Sequence, residues 1–136
     1  MDKYEKAKGI INQDIADFRP PERYDLIVSI STMEHIGWDE EPREPRKILR
    51  TLENLRLNCF ASGGKMVITL PLGQNPELDK LLDKGKIDLG KQYYMKRISK
   101  SKEWIEVEWN DVRNIEYNTP SPYANGIVIS CYQMTF

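Results

Sequence analysis

The sequence predicts an α/β fold with a parallel core and an antiparallel C-terminal edge. Two near-continuous apolar runs, "YDLIVSI" (24–30) and "KMVITL" (65–70), carry branched side chains without alternation. Such runs suit strands buried on both faces of a parallel sheet. Between them lies "EPRKILRTLENLRLNCFASGG" (44–64), whose apolar residues recur at helical spacing. After them comes a strand-rich tail, with "WIEVEW" (104–109) alternating and "IVISCYQMTF" (127–136) closing the chain. Helices alternating with buried strands, then strands alone, argue for a mixed sheet of this kind.

The elements follow in order. Residues 1–8 are polar and read as a frayed arm. "GIINQDIADF" reads as a short strand ending near Gln13, with Asp14 in the loop after it. "RPPER" (19–23) is a loop, because its two prolines fix φ and remove donors. After the 24–30 strand, residues 31–43 are irregular. Pro45 fits the first turn of the long helix, where its missing N–H costs nothing. Ile48, Leu52, Leu55 and Cys59 form the helix's apolar stripe, widened by Leu49 and Phe60. Arg46, Arg50, Glu53 and Arg56 face away, and Gly63 and Gly64 are expected to stop the helix. Pro71 and Gly73 end the second buried strand.

"NPELDKLLDKG" (75–85) predicts a short helix with Asn75 as cap, Pro76 in the first position and Gly85 as terminator. Leu78, Leu81 and Leu82 form its stripe. "QYYMKRI" (92–98) favours a strand through its aromatic and branched residues. In "WIEVEW", Ile105, Val107 and Trp109 face one side and Glu106 and Glu108 the other, as in a half-exposed strand.

The chain's 136 residues suit one domain. Twenty basic residues against 21 acidic ones leave no electrostatic footprint for nucleic acid or an anionic membrane. Lys96, Lys100 and Lys102 read as a solvated face. No apolar run approaches the roughly 20 residues that cross a membrane. "MDKYEKAKG" lacks the apolar core of a signal peptide. Cys59 and Cys131 do not form a close pair, and both are expected to be reduced, buried thiols in a cytoplasmic protein. With one histidine there is little to build a zinc site, and no metal is expected.

"QDIADFRPPERYDLIVSISTMEHIG", then a helix, then "ASGGKMVITLPLG", resembles the later part of a class I S-adenosylmethionine-dependent methyltransferase. The shared features are an acidic residue after the third strand and a "YD" opening the fourth. Small polar residues and a Glu-His-Ile segment end that strand. A helix and a "GG" turn lead into the fifth. The resemblance covers roughly residues 9–136 and makes "WIEVEW" and "IVISCYQMTF" the closing antiparallel pair. It implies a truncated Rossmann-like methyltransferase fold, transfer of a methyl group from S-adenosylmethionine, and an unidentified methyl acceptor.

The resemblance carries residue roles with it. It matches Asp14 to the carboxylate that accepts from the adenine amino group, and Ile15 to the apolar neighbour of the adenine ring. Ser29, Ile30 and Ser31 match the strand end beneath the cofactor's sugar and methionine part. Glu34 and His35 match the segment bordering the methyl-transfer pocket and are the catalytic candidates. Leu70, Pro71 and Leu72 match the loop facing the acceptor substrate.

Each assignment has a plainer counterpart. Glu34 and His35 fit a turn that bonds nearby backbone as well as a catalytic pair. Asp14 fits a loop cap, and Ser29 and Ser31 fit an ordinary strand end. Trp38, Trp104 and Trp109 fit partly buried packing as well as a stacking platform. None of the eight glycines forms the glycine-rich loop that lets backbone N–H groups approach the cofactor. The family's first two strands, which stand between its third and fourth, have no counterpart here. The chain alone is therefore expected to be inactive or weakly active. The alternative is a non-enzymatic oligomeric interaction module, with a second copy or a partner chain covering the exposed sheet edge.

Overall fold

The computed structural model describes residues 1–99, 101 and 103–135. The described residues form five strands: β1 (Tyr24–Ile30), β2 (Phe60–Pro71), β3 (Lys91–Arg97), β4 (Trp104–Val107) and β5 (Gly126–Gln133). They form one open sheet in the order β1-β2-β5-β3-β4. β1 and β2 run parallel, and β5 lies antiparallel to both β2 and β3. Helix α1 (Lys47–Asn54) continues into a π-helical turn (Leu55–Cys59), and α2 (Pro76–Asp83) follows β2. The protein is thus a mixed α/β domain around a partly parallel sheet.

The core lies on one face of that sheet. Met66, Ile68 and Leu70 of β2 and Val128 of β5 are at most 2% exposed. They join Ile48, Leu52, Leu55 and Cys59 of the long helix and Leu78 of α2 in a single apolar cluster. α2 forms as its sequence dictates. The Asn75 side chain accepts from Leu78 N–H, Pro76 opens the helix, and Gly85 takes a φ of 62° just past its end. Asn75 also donates from Nδ2 to the Glu34 carbonyl at 2.9 Å, tying α2 to the turn after β1. Asn75→Ala is expected to cost about 2 kcal/mol, at the upper end of cap losses, because both bonds go together. Urea denaturation of the variant checks this.

Several expectations are corrected. Ile10 to Gln13 form no strand, and Ile11 is 40% exposed. The segment is held instead by local bonds such as Asp2 N–H to the Ile11 carbonyl at 3.2 Å. β1 is not buried on both faces. It is the edge strand, and Leu26, Val28 and Ile30 are more than half exposed because both helices pack on the opposite side.

The long helix does not reach Gly63 and Gly64. Phe60 already has extended dihedrals, and β2 starts there. Tyr24 pairs with Phe60 and Leu26 with Lys65, so Ala61–Gly64 bulge out of the ladder. Gly63 has a φ of 73°, and a Cβ on Gly64 would lie 3.0 Å from the Tyr24 carbonyl oxygen. The glycine pair therefore serves a bulge rather than a helix stop.

"WIEVEW" is a strand only to Val107, and β4 pairs with β3, not with β5. β3 and β4 are close in sequence and form a hairpin, so β5 returns between β2 and β3. Val107 and Trp109 pack against the core, whereas Ile105 stays exposed. The Trp109 and Tyr94 rings meet in a tilted contact at 5.3 Å, and Trp38 lies under Arg43. Cys59 is buried, but Cys131 is exposed, on the sheet face away from the core. Arg56 does not point freely outward, for it lies over the Tyr132 ring. Lys96 is half-buried in β3, and Lys100 and Lys102 lie outside the described residues. No described helix is long and apolar enough to cross a membrane.

Candidate functional site

The free edge of β1 opens on a cleft of about 740 Å³. Its far wall is the N-terminal segment, from which Lys3, Gln13, Asp14 and Ile15 contribute. Clefts of roughly 300–1,000 Å³ are the usual size for small-molecule sites. Asp14, Ile15, Ser29, Ile30, Ser31 and His35 all line it, drawn from three separate stretches of chain. Glu34 does not. It is 1% exposed, with Oε2 unpartnered among the described residues. Leu70, Pro71 and Leu72 are buried and lie away from the cleft, with Leu72 N–H bonded to the Gly126 carbonyl.

Helix α1 positions the Asp14 loop. Lys47, Thr51 and Asn54 are spaced so that they share one side of the helix, and all three are buried. Asn54 Nδ2 donates to the carbonyls of Ile15 (2.9 Å) and Phe18 (3.0 Å). Lys47 Nζ reaches Asp14 Oδ2 at 2.6 Å and Glu40 Oε1 and Oε2 at 2.6 and 2.8 Å. Lys3 adds a second ammonium 3.2 Å from Asp14. Burial works to raise the Asp14 carboxyl. The bonds from Lys47, the Ala16 N–H and Lys3 outweigh it and bring it down to about 2. Burial likewise opposes the Lys47 charge, yet its two carboxylate partners hold its pKa above the ordinary value.

The β1 end is shaped differently. Ser31 has a φ of 47°, unusual for a residue with a Cβ, and costs about 1 kcal/mol. Its N–H is anchored by the Thr69 carbonyl (3.0 Å) and hydroxyl (3.1 Å). Ser29 borders the cleft and is 9% exposed, but its hydroxyl oxygen is buried and has no partner among the described residues. Thr32 Oγ1 turns back to the Ile30 carbonyl.

Past this point, His35 bonds Asp39 through Nδ1 and stands 3.5 Å from Glu34 Oε1 through Nε2. Burial raises the Glu34 carboxyl above its ordinary range, against its own backbone N–H and the nearby imidazole.

Lys47, Glu40 and Asp39 were absent from the residues singled out in the sequence. For Lys47 a signal existed. Lys47, Thr51 and Asn54 sit at i, i+4 and i+7, a polar stripe beside the apolar one. Glu40 and Asp39 lie in an irregular turn, where spacing gives no direction.

The fold and site together define a mixed α/β domain with a cleft at the open edge of its parallel strand pair. No family model, curated protein or solved structure shows a significant match to the chain.

Proposed function

We propose that the chain is the C-terminal part of an S-adenosylmethionine-dependent methyltransferase domain of Rossmann-like topology, and that the β1 cleft is one wall of the cofactor pocket. The observation that supports this reading most is the convergence of Asp14, Ile15 and Ser29–Ser31 on one cleft of ligand size. The residues also suit the group chemically. Asp14 stays ionised across the neutral range and can accept from an adenine amino group. Ile15 supplies an apolar surface for the ring. The Ser29–Ser31 backbone at the end of β1 borders the cleft where the polar ribose or amino-acid part would lie. When bound, the cofactor supplies an electrophilic methyl group on a sulfonium. The work of this chain is to hold and orient it and to receive the acceptor beside His35.

None of the described residues lining the cleft is a glycine. The close backbone approach that grips a dinucleotide-like ligand is therefore missing from this wall. The chain alone is expected to bind S-adenosylmethionine only in the millimolar range, roughly −4 kcal/mol. Amide chemical-shift changes should be confined to Asp14–Ala16 and Ser29–His35. A low-micromolar dissociation constant by calorimetry would overturn the incompleteness of the pocket. Absence of any shift at millimolar cofactor would overturn the methyltransferase reading itself.

A second reading is favoured by one feature. Leu26, Val28 and Ile30 expose an apolar strip on an unpaired strand edge. That suits an oligomeric interaction module descended from the same domain. Light scattering that gives a strict monomer up to high concentration argues against it.

A further inference from the structure

His35 is the chain's sole histidine, and it sits between two carboxylates at the mouth of the cleft. Asp39, one helical turn further on, meets Nδ1. Glu34 faces Nε2 from the buried side at 3.5 Å. The His35 and Asp39 side chains are about half exposed, and both residues line the cleft. An imidazole whose Nδ1 donates to a carboxylate keeps its lone pair on Nε2. The intrinsic preference of a free histidine side chain is the reverse tautomer, so a hydrogen bond from Nδ1 to Asp39 works against that preference.

We propose that Asp39 is a positioning residue that holds His35 in the Nδ1–H tautomer, so that Nε2 acts as a proton acceptor toward a ligand presenting an ionisable O–H or N–H at the Ser31–Asp39 end of the cleft. Nε2 takes the proton, and the ligand's oxygen or nitrogen keeps the electron pair. The imidazolium that forms is balanced by Asp39 on one side and Glu34 on the other. The proton then passes to solvent over the exposed ring edge. On the reading of the cleft as a methyl-transfer pocket, this identifies the acceptor class as a hydroxyl or amine that must lose a proton. The dyad itself does not rest on that reading.

The test uses the intact chain, where one histidine gives one unambiguous set of imidazole signals. Two-bond ¹H–¹⁵N spectra at a pH where the ring is neutral are expected to show Nδ1 protonated and Nε2 bare. Asp39→Ala, a change at an exposed position, should move the tautomer ratio about tenfold toward Nε2–H, the scale of one charge-assisted hydrogen bond. The second readout is carbethoxylation by diethyl pyrocarbonate, which requires an accessible, unprotonated nitrogen. His35 is expected to react, and Asp39→Ala to react more slowly at Nε2. An Nε2–H tautomer in the unaltered chain, or a ratio unmoved by Asp39→Ala, overturns the positioning role. A His35 inert to the reagent overturns the proton-accepting role. Each of these results is independent of whether S-adenosylmethionine binds.

Discussion

Replacing Lys47 by methionine is expected to lower the unfolding free energy by about 3 kcal/mol and the melting temperature by roughly 10 °C. The aliphatic stem of methionine fills the same space, so the loss isolates the charge. Lys47 is 5% exposed, whereas Asp14 and Glu40 keep about a quarter of their side-chain surface. Removing the ammonium leaves two carboxylates facing each other with only Lys3, 3.8 Å from Glu40, between them. The cost is near the lower end for broken buried pairs because water still reaches the acids.

The pH dependence carries the same signature. Asp14 titrates near 2 when folded and near 3.8 when free. Its contribution, about 2 kcal/mol, is complete above pH 3.8 and is lost as pH falls through that value toward 2. The gap between the native chain and Lys47→Met should therefore be widest at neutral pH and shrink near pH 2. Equal denaturation midpoints for the two chains at pH 7 would refute a stabilising role for the Lys47 ammonium. The variant also speaks to function, since the same ammonium holds Asp14 at the cleft wall.

The parallel pair, the long helix and the α2 cap were legible because each rests on local rules. Apolar continuity, a 3.6-residue stripe and an Asn-Pro start are all written within one element. What could not be read depends on neighbours. The run from Leu26 to Ile30 looks the same whether one or two faces are covered, and the sheet decides that by placing both helices on one side. Ile10 and Ile11 look like a strand start, but they do not pair with the free edge of β1, which lies across the cleft from Ile11. α1 captures the following loop through Asn54 and Lys47 instead. The place of β5 between β2 and β3 depends on long-range pairing, to which alternation within 104–109 is blind.

The site was legible in the same uneven way. Ser29–Ser31 lie at a strand end, where open α/β sheets place ligands, whereas Asp14 lies in a loop that no strand precedes. Glu34 and His35 are adjacent in sequence, yet a tight 3-10 turn sends one into the core and leaves the other at the surface. The two differ in exposure, so the pair read from sequence is a buried acid and an exposed base that still stand 3.5 Å apart. The true partner of His35, four residues on, is within reach only because the chain keeps turning past Ile36.

Asp79→Asn is expected to stabilise the protein by about 2 kcal/mol at pH 8 and to leave it unchanged near pH 4. Asp79 lies on α2 beneath the loop after β2, and its Oδ2 accepts from Gly73 N–H at 2.9 Å. Burial raises its carboxyl to about 6, and the Gly73 bond only partly opposes this. Below pH 3.8 the group is protonated in both states and exerts no penalty. As pH rises from 3.8 through 6 the unfolded chain ionises first, so the folded state loses stability across that window. Asparagine keeps an oxygen for Gly73 N–H and carries no charge, which removes the penalty. Gly73 needs that anchor, because its φ is 83° and its backbone passes so close to Tyr117 N that a Cβ would sit at 2.6 Å. The carboxylate thus holds the turn that follows Leu70–Leu72 at the expense of stability near neutral pH. Urea titrations at the two pH values decide the matter: a gain of the same size at both, or none at pH 8, would show that Asp79 is not the strained acid described. A stabilised variant whose Leu70–Gly73 amides exchange no faster with solvent would place the whole cost on the charge and none on the geometry of the loop.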